Sequence, residues 1–477
     1  MQPSEYESPT PNPASTLRAS IATVLLVAAT AASADDISEL RERLDEQAQQ
    51  IKVLERKLEL AEEAQKAAAP VTAVVKAGPS GFSIGTPDNA NVVKLRGVLH
   101  FDGRRFDDDV TPSTADTFIL RRVRPTLEGT LNGIFDYRFT PDFAGGRTII
   151  LDAFIAARLA PWATVTAGKF KVPVGLERLV SASDLRFIER GFPTSLVPNR
   201  DLGVQLSGDL AGGKISYSIG YFNGVNDGGS SDAIGDVEND TSGDWAARIF
   251  FTPFQDTDLY ALRGLGFGVA GTYIDTTGSP TNSLLGGYRT PGQQTFFSYR
   301  STSGTSQGTY ADGERIRITP QAYYAHNSFL ALAEYVRVSQ DVSRVTNAGT
   351  TRSASLDHTA WQIQLAWFLT GEEQSFKGFK PKSVFSPKDG TWGAVELVAR
   401  YHELDIDDDA FVGGADSFAN PATAASKASA WGIGVNWYLN RNYKLSLNYD
   451  VTSFDGGAAT GDRKDEKALF TRFGLAF

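Results

Sequence analysis

The sequence predicts an all-β fold, an antiparallel transmembrane β-barrel of about sixteen strands, preceded by an N-terminal α-helical coiled-coil segment. Three observations carry this. The last residues, Ala468 to Phe477, alternate apolar with other side chains and stop on an aromatic, a theme that recurs from Val92 onward. In Trp361, Ile363, Leu365, Trp367 and Leu369 every second residue is large and apolar, with Gln362, Gln364 and Ala366 between them. One such face suits lipid and the other suits water. Trp, Tyr and Phe also gather at segment ends, as at the two interfaces of a bilayer, whereas a soluble sandwich would turn its apolar faces into a shared core.

Composition excludes several classes. Hydrophobic content is 41% and mean hydropathy is -0.22, and beyond the N-terminus no stretch approaches the roughly eighteen apolar residues of a spanning helix. Cysteine is absent, which removes disulfides and thiolate chemistry. The histidines His100, His326, His358 and His402 are scattered, none at metal-ligand spacing from another, so they read as wall or loop residues.

From the N-terminus, Arg18 precedes an apolar run from Ile21 to Ala32 and then Ala32-Ser33-Ala34. This predicts a signal peptide over 1–34, with translation starting near Leu17. Ile37, Leu40, Leu44, Gln47, Ile51, Leu54, Leu58 and Ala61 then follow at spacings of three and four. That heptad seam predicts a coiled coil over 35–66, since a lone helix would leave so narrow an apolar stripe uncovered. The Ala-, Pro- and Gly-rich stretch 67–91 reads as a linker.

The barrel is expected over 92–477. Short turns at Asn132-Gly133, Gly212-Gly213 and Asn440-Arg441-Asn442 alternate with long loops near 103–117, 171–202, 224–244, 276–312, 341–357, 405–429 and 454–466, and a shorter one at 144–148. Short turns on one rim and long loops on the other is an outer-membrane arrangement. An even strand count brings both barrel ends to the periplasmic side, where the coiled coil would sit. The connections at 254–264 and 371–391 depart from the rule, which requires them to be short. About sixteen strands leave an aqueous channel.

The net charge of -10 points toward cations, but the acidic runs Asp107 to Asp109, Asp236 to Asp244 and Asp405 to Asp409 fall in loops, where charge runs are solvated. The lumen reads differently. With Val93, Leu95, Leu99 and Phe101 toward lipid, Lys94, Arg96, His100 and Asp102 face inward. With Val123, Leu127 and Leu131 toward lipid, Arg122 and Arg124 face inward and Arg121 outward. Asp136 and Arg138 face inward on the third strand. A lipid-facing arginine at mid-depth costs roughly 2 to 4 kcal/mol, so Arg121 must lie near a rim, in a bulge or against another subunit. The connection from Lys171 to Leu202 adds Arg178, Arg186, Arg190 and Arg200. Its apolar stretches Val172-Pro173-Val174 and Phe187-Ile188 fit either a loop folded into the barrel or a surface cap. Crowded guanidinium groups would make an anion site.

Several ordered motifs resemble the phosphate-selective porins of the O and P type, trimeric outer-membrane channels, over residues 92–477. They include Lys94-Leu95-Arg96-Gly97, Gly103-Arg104-Arg105-Phe106, Leu120-Arg121-Arg122-Val123-Arg124, Gly175-Leu176-Glu177-Arg178, Ile188-Glu189-Arg190, Gly434-Val435-Asn436-Trp437-Tyr438 and the terminal Phe477. The resemblance implies a sixteen-stranded barrel, an inward-folded third long loop and a basic pore that binds phosphate. Carried over by position, the site residues are Arg121, Arg122, Arg178, Ser181, Arg190 and Asp152, and the terminal aromatic is an assembly signal. One departure is clear: Val98 stands where the phosphate-specific members have an arginine.

The expected function is a passive anion channel, a homotrimeric outer-membrane porin for phosphate or other small anions, in contact with outer-membrane lipid and with no nucleic-acid partner. Arg121, Arg122, Arg178 and Arg190 would form the constriction. Lys94, Arg105 and Arg138 would guide anions, and Asp152 would orient basic neighbours. No cofactor, metal or catalytic group is implied, for no Ser-His-carboxylate set shares a face. A general-diffusion porin and a coiled-coil envelope tether are the alternatives.

Overall fold

The computed structural model describes residues 34–68, 73–107, 116–231, 242–302, 307–376, 378–379 and 381–477. The signal peptide expected over 1–34 lies, except for Ala34, outside the described residues. The chain divides into two compact units at Thr72. In the first, α1 runs from Ala34 to Ala68. Leu40, Leu44, Ile51, Leu54 and Leu58 of its heptad seam are all exposed.

The second unit opens with a hairpin, β1 (Val74–Gly78) and β2 (Gly81–Gly85), where composition predicted a linker. Val74, Phe82 and Ile84 supply short strand character that the Gly and Pro content of the stretch masks. Then come β3 (Val92–Phe106), β4 (Thr117–Leu131), β5 (Phe135–Asp142), β6 (Ile149–Ala160), β7 (Ala163–Lys171), β8 (Arg200–Leu210), β9 (Ile215–Phe222), β10 (Asp244–Phe251) and β11 (Leu265–Thr277). A small hairpin, β12 (Gly287–Arg289) and β13 (Thr295–Ser298), precedes β14 (Thr309–His326), β15 (Phe329–Val345) and β16 (Thr351–Phe368). A second, β17 (Phe385–Ser386) and β18 (Thr391–Trp392), precedes β19 (Ala394–Asp405), β20 (Ala425–Tyr438), β21 (Tyr443–Gly456) and β22 (Glu466–Ala476).

Leaving out β1, β2 and the two small hairpins, the described strands form a closed sixteen-stranded antiparallel barrel. Its seam is β22 on β3, from Ala476 opposite Val98 to Ala468 opposite Phe106. Below that seam β2 takes the place of β22 beside β3, pairing Phe82 with Leu95. The Phe477 ring lies on Gly97, where a Cβ would stand 2.7 Å from it, and edge-on to Phe82 at 6.5 Å.

Alternation sorts the two faces. Ile363, Leu365 and Trp367 are 40 to 54% exposed, against 1% for Gln362 and 2% for Gln364. Asn132 (φ 51°) and Gly133 (φ 73°) form the turn between β4 and β5, both in the left-handed region that two-residue hairpins require. The long loop expected over 341–357 is instead strand: β15 and β16 stay paired from Phe329 opposite Trp367 to Val345 opposite Thr351. Here the outer face turns polar, with Arg337 on Asp357 at 2.7 Å and Ser339 on Ser355 at 3.3 Å, so the hydropathy signal ends before the strands do.

Candidate anion channel

Arg121 sits in a β-bulge. His100 pairs with Arg122 and Phe101 with Leu120, which leaves Arg121 as the extra residue of β4. The extra residue resets the alternation, so Phe118 and Leu120 are exposed at 75% and 54% while both arginines turn inward. Arg121 donates Nε–H to Glu189 Oε1 at 2.7 Å and Nη2–H to Oε2 at 3.1 Å. Arg104 adds a third bond to Oε1 at 3.0 Å. Burial opposes the charge on Glu189, but the facing Arg121, with Arg122 and Arg472 behind it, holds its carboxyl well below the usual carboxylate range. Arg122 Nη1 lies 3.1 Å from His100 Nδ1.

Residues 172–199, between β7 and β8, are held by side chains from the strand face opposite the exposed apolar one. The Leu176 N–H donates to Glu334 Oε1 at 2.6 Å, the Phe192 N–H to His402 Nδ1 at 3.1 Å and the Ile188 N–H to Asn448 Oδ1 at 2.8 Å. In return Arg400 donates to Glu189 O at 2.8 Å and Arg472 to Ile188 O at 2.9 Å. Val174, Leu176, Phe187, Ile188 and Phe192 are buried. The short helix α2 (Leu176–Leu179) follows Gly175, which has a φ of 83° and leaves no room for a Cβ, Val197 lying 2.8 Å from where one would stand.

Between this segment and the wall of β3 to β8 lies a cavity of about 370 Å³. Arg96, Arg124, Arg138, Lys171 and Arg200 reach it, against the carboxylates Glu128 and Asp152. Arg200 donates to Asp152 at 2.8 Å, Arg124 to Asp142 at 2.6 Å, and Arg138 to Glu128 at 3.0 Å. The Lys171 ammonium donates to the carbonyls of Leu179 and Val180 at 3.1 and 2.9 Å. Val98 also lines the cavity, directly across the strands from Arg124. Arg96 lines it two residues away, whereas Arg104 is committed to Glu189.

The residues expected to form the constriction fall into two groups. Arg178 and Arg190 lie near Lys171 and Arg200. Arg178 bonds the Thr194 carbonyl, and its Nε has no hydrogen-bond partner. Burial, then the Arg190 and Arg200 cations, pulls its guanidinium down to about 9. Arg190 donates to Val180 O at 2.8 Å and is drawn down to about 10, mainly by burial. Glu177 offsets part of this for both, and they remain cations at neutral pH. Ser181 lines the cavity and bonds Ser183 at 2.9 Å. Arg121 and Arg122 form the other group, on Glu189 and His100, and all four arginines lie behind the residues that line the cavity rather than among them. Lys94 is exposed. Arg105 falls on the exposed outer face with Phe101, one residue past the inward Arg104. The two-residue period forbids both from facing in. Lys171, Arg124 and Arg200 were not singled out as site residues. Alternation already aimed Arg124 inward, but no pattern distinguishes Lys171 or Arg200 from loop-end cations.

A closed barrel of sixteen strands with a polar interior and an apolar outer band is the architecture of an outer-membrane channel. The chain belongs to the phosphate-selective porin O and P family, whose pattern matches residues 93–477, and the family places it in the outer membrane of a Gram-negative bacterium. It is similar to Porin O of Pseudomonas aeruginosa, 25% identical over 441 residues, covering 88% of this chain and 97% of that one. Among solved structures, the anion-selective porin of Comamonas acidovorans is 12% identical with a TM-score of 0.48, over 81% of this chain and all of that one. The trimer form of OmpT from Vibrio cholerae is 11% identical with a TM-score of 0.49, over 81% and 100%.

Proposed function

We propose that the chain forms a passive, anion-selective pore for phosphate or related oxyanions and works as a homotrimer. Residues 172–199 fold into the lumen as its constriction. The observation that carries this is the excess of five basic side chains over two acidic ones around the cavity in a chain of net charge -10. A ring of fixed charge sets which ions enter, and conduction needs binding weak enough to release them. Arg178 and Arg190, with Lys171 and Arg200, bind the anion. Asp152 orients Arg200, and Arg96, Arg138 and Lys94 guide entry. Arg121 acts through Glu189 as a positioning residue for the constriction, with Arg122 beside it. The exposed seam of α1 supports a coiled coil between protomers on the periplasmic side. The reversal potential of single channels in a salt gradient tests the reading. Anion preference and a block of chloride current by phosphate are expected, and cation preference would refute it.

A further inference from the structure

The cavity is only half polar. Beside its cations stand Val98, Leu151, Phe154, Phe170 and Leu179, with the Phe154 and Phe170 rings edge to face at 6.0 Å and the Arg138 guanidinium 5.7 Å from the centre of the Phe154 ring. Such a wall offers nothing to a small hydrated oxyanion, which loses water against it without gaining a hydrogen bond.

The cations are also largely engaged. Arg96 and Arg138 share Glu128, at 3.3 and 2.8 Å. Arg124 and Arg200 face Asp142 and Asp152 at 2.6 and 2.8 Å. What remains is a modest positive surplus beside an apolar surface to which Val98 contributes. The volume of about 370 Å³ falls within the range, about 300–1,000 Å³, of sites that hold whole small organic molecules.

We infer that the cavity preferentially binds amphipathic organic anions, in which an acidic head group carries a small aromatic or aliphatic body, over inorganic phosphate. The head group meets Lys171 and the arginines, and the body lies on Phe154, Phe170 and Val98. The inference rests on the reading of this cavity as the anion path and narrows the class of solute that uses it.

The test is block of chloride current through purified full-length protein in planar bilayers, titrated with inorganic phosphate, phenyl phosphate, benzoate and neutral benzyl alcohol. Phenyl phosphate is expected to halve the current at a concentration about tenfold below inorganic phosphate, the ratio that burial of a few methylene equivalents supplies. Benzoate should also block, and benzyl alcohol should not. Phe154→Leu should shrink the advantage of phenyl phosphate, and Val98→Arg should move the preference toward inorganic phosphate. The two variants lie on different strands, β6 and β3, so misfolding of one leaves the other decisive. Equal block by phosphate and phenyl phosphate, or stronger block by phosphate, would overturn the inference and leave anion selectivity standing. Cation preference with no block by either phosphate would overturn the anion reading itself.

Discussion

Arg121 holds Glu189 through both carboxylate oxygens, at 2.7 and 3.1 Å, although strict alternation along β4 aims it at lipid. The bulge turns a costly outward cation into the fastener of the 172–199 segment. Glu189→Gln leaves Arg104 and Arg121 facing each other without the carboxylate they share, and breaking a buried pair in this way costs about 3–5 kcal/mol. A lower unfolding midpoint of the folded barrel, followed by heat-dependent gel mobility, is the expected result. An unchanged midpoint would show that the segment is held by its other contacts alone.

The same carboxyl sets a pH dependence. Its folded value is depressed, so its stabilisation is complete above the ordinary glutamate value of 4.5 and is lost as pH falls from there toward the folded value. The difference in midpoint between the native chain and Glu189→Gln should stay constant from neutral pH down to about 5 and shrink below about 4. A difference that shrinks between pH 8 and about 6 would contradict the ion pair as its source.

Lys171 lines the cavity and donates to the carbonyl oxygens of Leu179 and Val180, so a substitution there acts directly on the cavity's potential. Lys171→Glu places a negative charge in the cavity wall and should move the reversal potential toward cation preference, most strongly at low salt, where the screening length is longest. No movement would remove Lys171 from the ion path.

Gly175→Ala places a methyl group 2.8 Å from the Val197 side chain at a left-handed backbone position. Strain of about 1–3 kcal/mol at the foot of the segment should loosen it and raise single-channel conductance while weakening block by phosphate. Conductance identical to the native pore would mean that the segment does not limit current.

Deleting residues 34–68 should leave single-channel conductance intact and weaken the association of protomers in sedimentation of detergent-purified protein. Loss of conductance would show that the helix takes part in the pore, against the separation of the two units.

Alternation disclosed the barrel and most inward positions because lipid and water impose opposite demands on neighbouring residues of one strand. It failed where that contrast vanishes. Asp341 to Val345 and Thr351 to Asp357 are strands with polar outer faces, and read as loop. Arg121 and Arg105 are misplaced for different reasons: a bulge shifts phase by one residue and leaves no compositional mark, while Arg105 falls in a loop expected over 103–117 that is strand as far as Phe106. The partners of the 172–199 segment, Glu334, His402 and Asn448, are 158 to 260 positions away from the residues they hold. No local spacing announces such pairs.

The seam between Val98 and Ala476 joins the first barrel strand to the last. Until β22 docks, β3 keeps one long unpaired edge, and every earlier intermediate carries two open edges able to pair with other chains. Closure thus depends on the most distant contact the chain can make, the slowest kind to form. A chain truncated before β22 is left with two open sheet edges, so docking of the last strand and escape from aggregation become one event.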